Sequence, residues 1–352
     1  MTTADTVRYE ILGTLAWDRG RVDIQALGGM TGPVEVSLDD GRGIRPFAVA
    51  PWSEDPSAEW EATAPPLLKR LRGDWVCLPF GTPGKPRTDL DTRWLEGLDV
   101  NLESPDDTQH GSCANSRWVL ESEEAHALSI SFAPDVRFPI ARIERRITVA
   151  DGNPAIHCET RVAARRDCEL QWGVHPTFRL PPSPGSFEIA FGAGKLTVLT
   201  YPGIFEKGVS RVAHARVCDG LDLVPMIDGT TRSFSSLPLP FDTEELLLVA
   251  GHNGEARLTN KSERYRVVMN WDPSVFPSVL VWISNRGRGF APWNGRFLGL
   301  GIEPVCSAFD LGYAHAINAH SPLRALGIPT AARFSSGDEL VTKYSFRFES
   351  IL

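Results

Sequence analysis

Cys168-Glu169-Leu170-Gln171-Trp172-Gly173-Val174-His175-Pro176-Thr177-Phe178 decides how this chain is read. Cys168, Leu170, Trp172 and Val174 alternate with Glu169, Gln171 and Gly173, the period of a half-buried β-strand. His175 falls on the polar face, and Pro176 ends the ladder because it has no N–H to donate. Gly173, lacking a side chain, is expected to leave open space beside the imidazole. Arg296-Phe297-Leu298-Gly299-Leu300-Gly301-Ile302-Glu303-Pro304 repeats the arrangement. Leu298, Leu300 and Ile302 share one face, Gly299, Gly301 and Glu303 the other, and proline again closes the strand. Two glycine-lined strand ends therefore carry Gly-x-His-Pro and Gly-x-Glu-Pro, an acid/base pair of residue types.

Neighbouring segments carry the same period. Leu128, Ile130 and Phe132 alternate with small or polar residues. Ile143, Ile147 and Val149 lie opposite Arg142, Glu144, Arg146 and Thr148. Asp151-Gly152-Asn153-Pro154 is a turn, after which Ile156, Cys158, Thr160 and Val162 begin the returning strand. Successive strands with one polar face each indicate an antiparallel sheet. Short strands are also expected at Val7–Leu12, Val22–Ala26, Val34–Leu38, Glu245–Ala250, Ala256–Thr259, Arg264–Trp271 and Ser278–Ile283. A closing strand passes through Tyr344, Phe346 and Phe348. Pro51–Pro66 and Leu223–Pro240 read as loops, and Ala314–Leu326 as mostly irregular. With no strong helix, repeat or linker, the expectation is one all-β domain over residues 1–352.

Composition narrows the partner. The 352 residues carry a formal net charge of −8, which disfavours nucleic acid or an anionic membrane and favours a small polar molecule. The N-terminus lacks the basic and apolar regions of a secretory signal, and no apolar run approaches a membrane span. Six cysteines are dispersed without a Cys-x-x-Cys pair, consistent with reduced thiols in a cytoplasmic protein. Metal-ligand spacings, a serine-hydrolase elbow, a P-loop and a dinucleotide fingerprint are all missing. What remains is proton transfer between His175 and Glu303. A lone strand histidine is more often structural, but a carboxylate in the most apolar strand of the C-terminal third needs a partner or a function. His110 reads equally well as a loop cap and as a ligand contact, and Arg72 as a surface charge. Tryptophans 75, 118, 172, 282 and 293 are core by default, although one on the polar face can stack on a sugar ring.

Arg72-Gly73 with Pro79-Phe80-Gly81, His110-Gly111-x-x-x-Asn115-x-x-Trp118, His175-Pro176-x-Phe178 and Ile302-Glu303-Pro304 occur in this order. The order resembles the aldose 1-epimerase (galactose mutarotase-like) superfamily, nearest its hexose-6-phosphate mutarotase branch. The resemblance implies a large antiparallel β-sandwich with its active-site cleft on the concave face, acting on a sugar or sugar phosphate without metal or organic cofactor. It implies Glu303 as general base toward the anomeric hydroxyl and His175 as general acid toward the ring oxygen. Arg72, His110, Asn115 and Trp282 would then bind substrate, with Asp242, or alternatively Asp272, as the acidic residue holding sugar hydroxyls. Ser112-Cys113-Ala114-Asn115 stands where the phosphate-sugar branch usually has Phe-Ala-Arg-Asn, so Arg87 or Arg117 would have to contact a phosphate. A non-catalytic sugar-binding or regulatory protein on the same fold is the alternative, and a carbohydrate lyase or hydrolase using the same face a more distant one.

Overall fold

A computed structural model describes residues 9–54, 64–192 and 194–351. Val7 and Arg8 of the expected first strand, and residues 55–63 of the expected Pro51–Pro66 loop, lie outside them. Among the described residues the longest helices, Pro66–Arg70 and Tyr313–Ile317, have five residues each. No helix there is long and apolar enough to cross a membrane.

Two large antiparallel sheets pack into a β-sandwich. The first runs in the order Val217–Cys218, Thr197–Thr200, Thr243–Ala250, Ser278–Asn285, Leu298–Cys306, Trp172–Val174, Val76–Cys77, with Thr177–Arg179 also paired to Leu298–Cys306. The second runs from Ser236–Leu237 through Phe187–Phe191, Glu255–Asn260, Tyr265–Trp271, Glu339–Ser350, Asn153–Ala164, Ile140–Ala150 and Ala127–Phe132 to Val119–Glu124. A smaller antiparallel sheet, Ile11–Trp17, Gly20–Gln25, Thr31–Ser37 and Gly43–Ile44, packs beside them.

The second sheet is dry on one face only, so Ile140–Ala150 and Glu339–Ser350 alternate buried residues with partly or fully exposed ones along most of their length. The first sheet is buried on both faces. Leu247, Val249, Val279, Val281, Leu300 and Ile302 join the core between the sheets. Their alternates Leu246, Leu248, Leu280, Trp282 and Val305 pack on the opposite face with Trp75, Phe80 and Phe309. Thr243–Ala250 is buried from end to end, which is why its sequence runs Leu-Leu-Leu-Val without alternation.

The Cys168–Val174 strand differs from expectation. It is two strands: Cys168–Leu170 pairs with Ala332–Phe334, whereas Trp172–Val174 pairs with the Glu303 strand and Val76–Cys77. Gly173 does not open space beside His175 either. A Cβ there would meet the Pro304 carbonyl at 2.7 Å and Val305 Cγ1 at 2.6 Å, so the glycine lets two strands approach. The expected loop at Leu223–Pro240 contains the pairing of Val224–Pro225 with Thr231–Arg232 and the short strand Ser236–Leu237. Ala314–Leu326 holds most of two short helices.

One polar group crosses the sandwich interior. Arg145, fully buried, donates to the Asp74 carboxylate, to Tyr344 Oη (2.6 Å) and to the Gly29 carbonyl (2.7 Å), and Tyr344 donates to Asp74 (2.7 Å). Burial raises the Asp74 carboxyl, opposed by Arg145 and Tyr344. Breaking such a pair on one side leaves an uncompensated buried charge. The preceding Gly73 is irreplaceable on packing grounds, with a φ of +57° and a virtual Cβ 1.4 Å from the Thr31 carbonyl.

Candidate active site

The anchored Gly73-Asp74-Trp75 segment carries the site. The Gly73 carbonyl accepts from Thr177 N (2.8 Å) and the Trp75 carbonyl from His175 N (2.9 Å), which brackets His175. The Trp75 ring then stacks on the imidazole, centroids 4.2 Å apart and planes 18° apart. On the adjoining strand, Glu303 Oε1 lies 3.3 Å from His175 Nε2. Both residues are buried, at 6% and 2% exposure. No hydrogen bond of good geometry joins them, so Oε1 is a buried acceptor with no donor among the described residues. Gly301 makes the room: a Cβ there would stand 2.2 Å from that oxygen.

Burial dominates the electrostatics. It pushes the Glu303 carboxyl well above the usual carboxylate range, with the charge of Asp310 adding to the effect. It pushes His175 well below the usual imidazole range, assisted by His110. The pair thus favours its neutral form with one proton on the carboxyl. Thr177 Oγ1 sits 3.3 Å from His175 Nδ1. A hydroxyl can donate to or accept from that nitrogen, so it tolerates either tautomer.

The pair faces a cavity of ≈ 600 Å³, within the roughly 300–1,000 Å³ of small-molecule sites. His110 lines it, edge-on to His175 at 5.4 Å. Its Nδ1 accepts from Gly81 N (3.3 Å), which places the proton on Nε2. Burial lowers it to about 4, so it is a neutral donor at pH 7. Trp282 lines the cavity too, edge-on to His175 at 5.7 Å, its Nε1 donating to Glu244 Oε1 (2.8 Å). Glu244 also accepts from Ser284 (3.0 Å), and burial raises its carboxyl to about 7.

The remaining expected residues lie elsewhere. Arg72 is a buried internal tie, donating to the Arg70 carbonyl (3.0 Å), Ser53 (3.0 Å) and Glu54 (2.6 Å), not a cavity-lining or surface charge. Asn115 binds backbone: its Oδ1 accepts from Leu67 N (3.0 Å), and its Nδ2 donates to the Gln109 (2.7 Å) and Gly111 (3.0 Å) carbonyls. Asp242 is exposed at the start of the Thr243–Ala250 strand, and Asp272 accepts from Ser274 N in a turn beyond the second sheet. Neither lines the cavity. Asp310 does, and sequence pattern missed it because it sits in a loop with no periodicity. Arg117 pairs with Glu10 at the surface, whereas Arg87 lines the cavity, tied to Asp89 and Tyr201. Arg288, also at the cavity, is paired with Glu206 and Glu244.

The fold has solved counterparts along nearly the whole chain. A protein from Synechocystis sp. PCC 6803 matches with a TM-score of 0.62 at 14% identity, covering 96% of this chain and 95% of that one. A galactose mutarotase-like protein from Clostridium acetobutylicum matches at 0.60 and 13% identity, covering 96% and 95%. A galactose mutarotase related enzyme from Lactobacillus acidophilus matches at 0.57 and 12% identity, covering 96% and 97%. At such identities the likeness is one of fold. No family model and no curated protein sequence matches the chain. The fold of the chain is the one these galactose mutarotase-like structures share.

Proposed function

We propose that this protein is a cofactor-independent aldose 1-epimerase, interconverting the α and β anomers of a sugar. The observation that carries the proposal is the 3.3 Å approach of Glu303 Oε1 to His175 Nε2 at the wall of a partly aromatic cavity. Glu303 takes the proton from the anomeric hydroxyl as His175 gives one to the ring oxygen. The C1–O5 bond breaks, C1 becomes a carbonyl, rotation about C1–C2 turns its other face, and the reverse transfers close the ring. Burial suits both roles: it makes the carboxylate a stronger base and the imidazolium a stronger acid. Ring opening converts a buried ion pair into two neutral groups, the form that burial favours. Trp282 offers an apolar ring to the C–H face of a pyranose. Arg87 and Arg288 are already opposed by carboxylates, so neutral aldoses suit the cavity as well as phosphorylated ones.

The test follows the anomeric NMR signals and optical rotation of freshly dissolved aldoses with and without protein. Wild type is expected to accelerate equilibration, and Glu303→Gln to abolish the acceleration while still binding sugar, because an amide cannot accept the proton. Near wild-type rates in Glu303→Gln would remove the base from the scheme. Binding by wild type without acceleration would point to a sugar-binding protein, for which an adjacent acid and base are unnecessary.

A further inference from the structure

His175 and Glu303 occupy the closed end of a cavity whose other end is open. Along one wall exposure rises from 2% at Glu303 and 6% at His175, through 7% at Trp282 and 6% at Trp293, to 55% at Phe290. Ring contacts trace that wall: Trp282 meets His175 at 5.7 Å and Trp293 at 6.0 Å, both edge-on. Phe290 stands three residues before Trp293 in the same loop. At ≈ 600 Å³ the cavity belongs to the size class that takes drug-sized ligands, a bulk nearer two pyranose rings than one.

The loop keeps Phe290 at the mouth. It leaves the first sheet after Asn285 and rejoins it at Leu298. Arg286 N donates to the Phe297 carbonyl (3.0 Å), Gly295 N to the Arg288 carbonyl (2.9 Å) and Asn294 N to the Phe290 carbonyl (2.9 Å). Arg286 and Asn294 hold φ values of +58° and +47°, in the left-handed region that non-glycine residues rarely adopt. Trp293 is pinned between Trp52, at 4.6 Å, and the Arg288 guanidinium, at 4.7 Å, and Arg288 is itself paired with Glu206 and Glu244. A loop tied to itself in this way presents an aromatic ring that the chain leaves more than half bare. Thr82, Lys85 and Gln109 line the same cavity at exposed positions, and their side chains make no hydrogen bond or ion pair among the described residues. An aromatic face with unengaged polar side chains about it suits a sugar, whose C–H face packs on the ring while its hydroxyls take the polar groups.

Resting on the mutarotase assignment above, we propose that the substrate is a reducing disaccharide, its reducing unit at His175 and Glu303 and its second unit at the mouth against Phe290. The reaction needs a free hydroxyl at C1, and the pair that acts on C1 lies at the closed end. The second unit is therefore joined through a hydroxyl remote from C1 and emerges toward the open end. Stacking so far from the reacting bond holds substrate and transition state alike, so it lowers KM and leaves kcat unchanged.

The experiment takes an aldose that wild type accelerates, with its 4-O- and 6-O-glucosyl derivatives (maltose and isomaltose when the aldose is glucose), in wild type, Phe290→Ala and Phe290→Tyr. Wild type is expected to favour at least one disaccharide over the parent by ~10-fold in kcat/KM, through KM. Phe290→Ala should erase that preference while moving the parent by no more than about twofold, and Phe290→Tyr, which keeps the ring, should retain it. A wild type that favours neither disaccharide would overturn the proposal and leave the mutarotase assignment standing. Equal losses on all three sugars in Phe290→Ala would mean a structural role and overturn it too. The same sugars are titrated by tryptophan fluorescence against Glu303→Gln with and without Phe290→Ala. If wild type binds sugars but accelerates none, the mutarotase assignment fails while the affinity ratio of disaccharide to parent still decides the mouth subsite. If no sugar binds, both fail.

Discussion

Replacing Gly301 by alanine probes the proposed site without substituting His175 or Glu303. Gly301 faces Trp282 across the ladder, and its φ is outside the left-handed region, so alanine meets no backbone strain of its own. The added methyl would stand 3.0 Å from Trp282 Cβ and 2.2 Å from Glu303 Oε1. The ladder must give by a few tenths of an ångström at the first contact. At the second, the carboxyl must retreat by about 1.2 Å to reach the 3.4 Å of ordinary van der Waals contact. That oxygen is the one 3.3 Å from His175 Nε2. A misplacement of about 1 Å in a catalytic group costs ~10²-fold, so kcat for anomer interconversion should fall by about that factor. Overpacking should cost ~1–3 kcal/mol of stability, leaving the protein folded. Polarimetry of a freshly dissolved aldose, with a urea titration of the same sample, reads both quantities. Gly289→Ala in the rim loop is the control, since nothing lies within 4 Å of its Cβ position. A Gly301→Ala enzyme within threefold of wild type, beside an inactive Glu303→Gln, would refute the tight placement of Oε1.

Two further outcomes are expected. Because burial raises the Glu303 carboxyl above 4.5 in the fold, its contribution to stability is present below that pH and lost as pH rises through the folded value. His175, depressed below 6.5, works oppositely, its contribution being lost as pH falls below 6.5. Glu303→Gln should therefore gain stability relative to wild type between pH 5 and 8, with a slope of at most ~1.4 kcal/mol per pH unit; a difference flat with pH would refute it. Arg145→Ala, which strands Asp74 in the core, should lose ~3–5 kcal/mol in urea unfolding, and a loss below about 1 kcal/mol would mean that Tyr344 alone satisfies the carboxylate.

The sandwich was legible where a strand has one wet face. Ile140–Ala150, Asn153–Ala164 and Glu339–Ser350 alternate because one side packs on the core and the other meets water. The first sheet was less so, since burial on both faces erases the period at Leu246-Leu247-Leu248-Val249. His175 and Glu303 were singled out as polar residues in apolar strands, and they stand side by side. The reason offered for Gly173 was wrong, however, because a sequence does not distinguish a glycine that makes room for a ligand from one that lets strands close. Arg72 and Asn115 raise the same ambiguity: a polar group in a loop can face a ligand or tie the protein to itself, and these two make internal ties, Arg72 to Ser53, Glu54 and a carbonyl, Asn115 to backbone. Asp242 and Asp272 had only their order in the chain to recommend them. Asp310 carried one faint signal, an acid between Phe309 and Leu311 in an otherwise apolar loop.

The placement of Trp75 beside Asp74 has a consequence for the protein's motions. Its ring is the floor under His175, and the preceding residue, Asp74, is anchored to Arg145 and Tyr344 in the far sheet. Local openings of a fold usually begin where buried contacts are few, which here means the exposed rim near Lys85 and Phe290. The floor lies outside that regime. On the proposed function, the rim could open to a sugar while the imidazole keeps the angle that its stack on Trp75 gives it. The proposed ligand entry and the proposed catalytic alignment would thus rest on different parts of the fold, the first on the exposed rim and the second on contacts that join the two sheets.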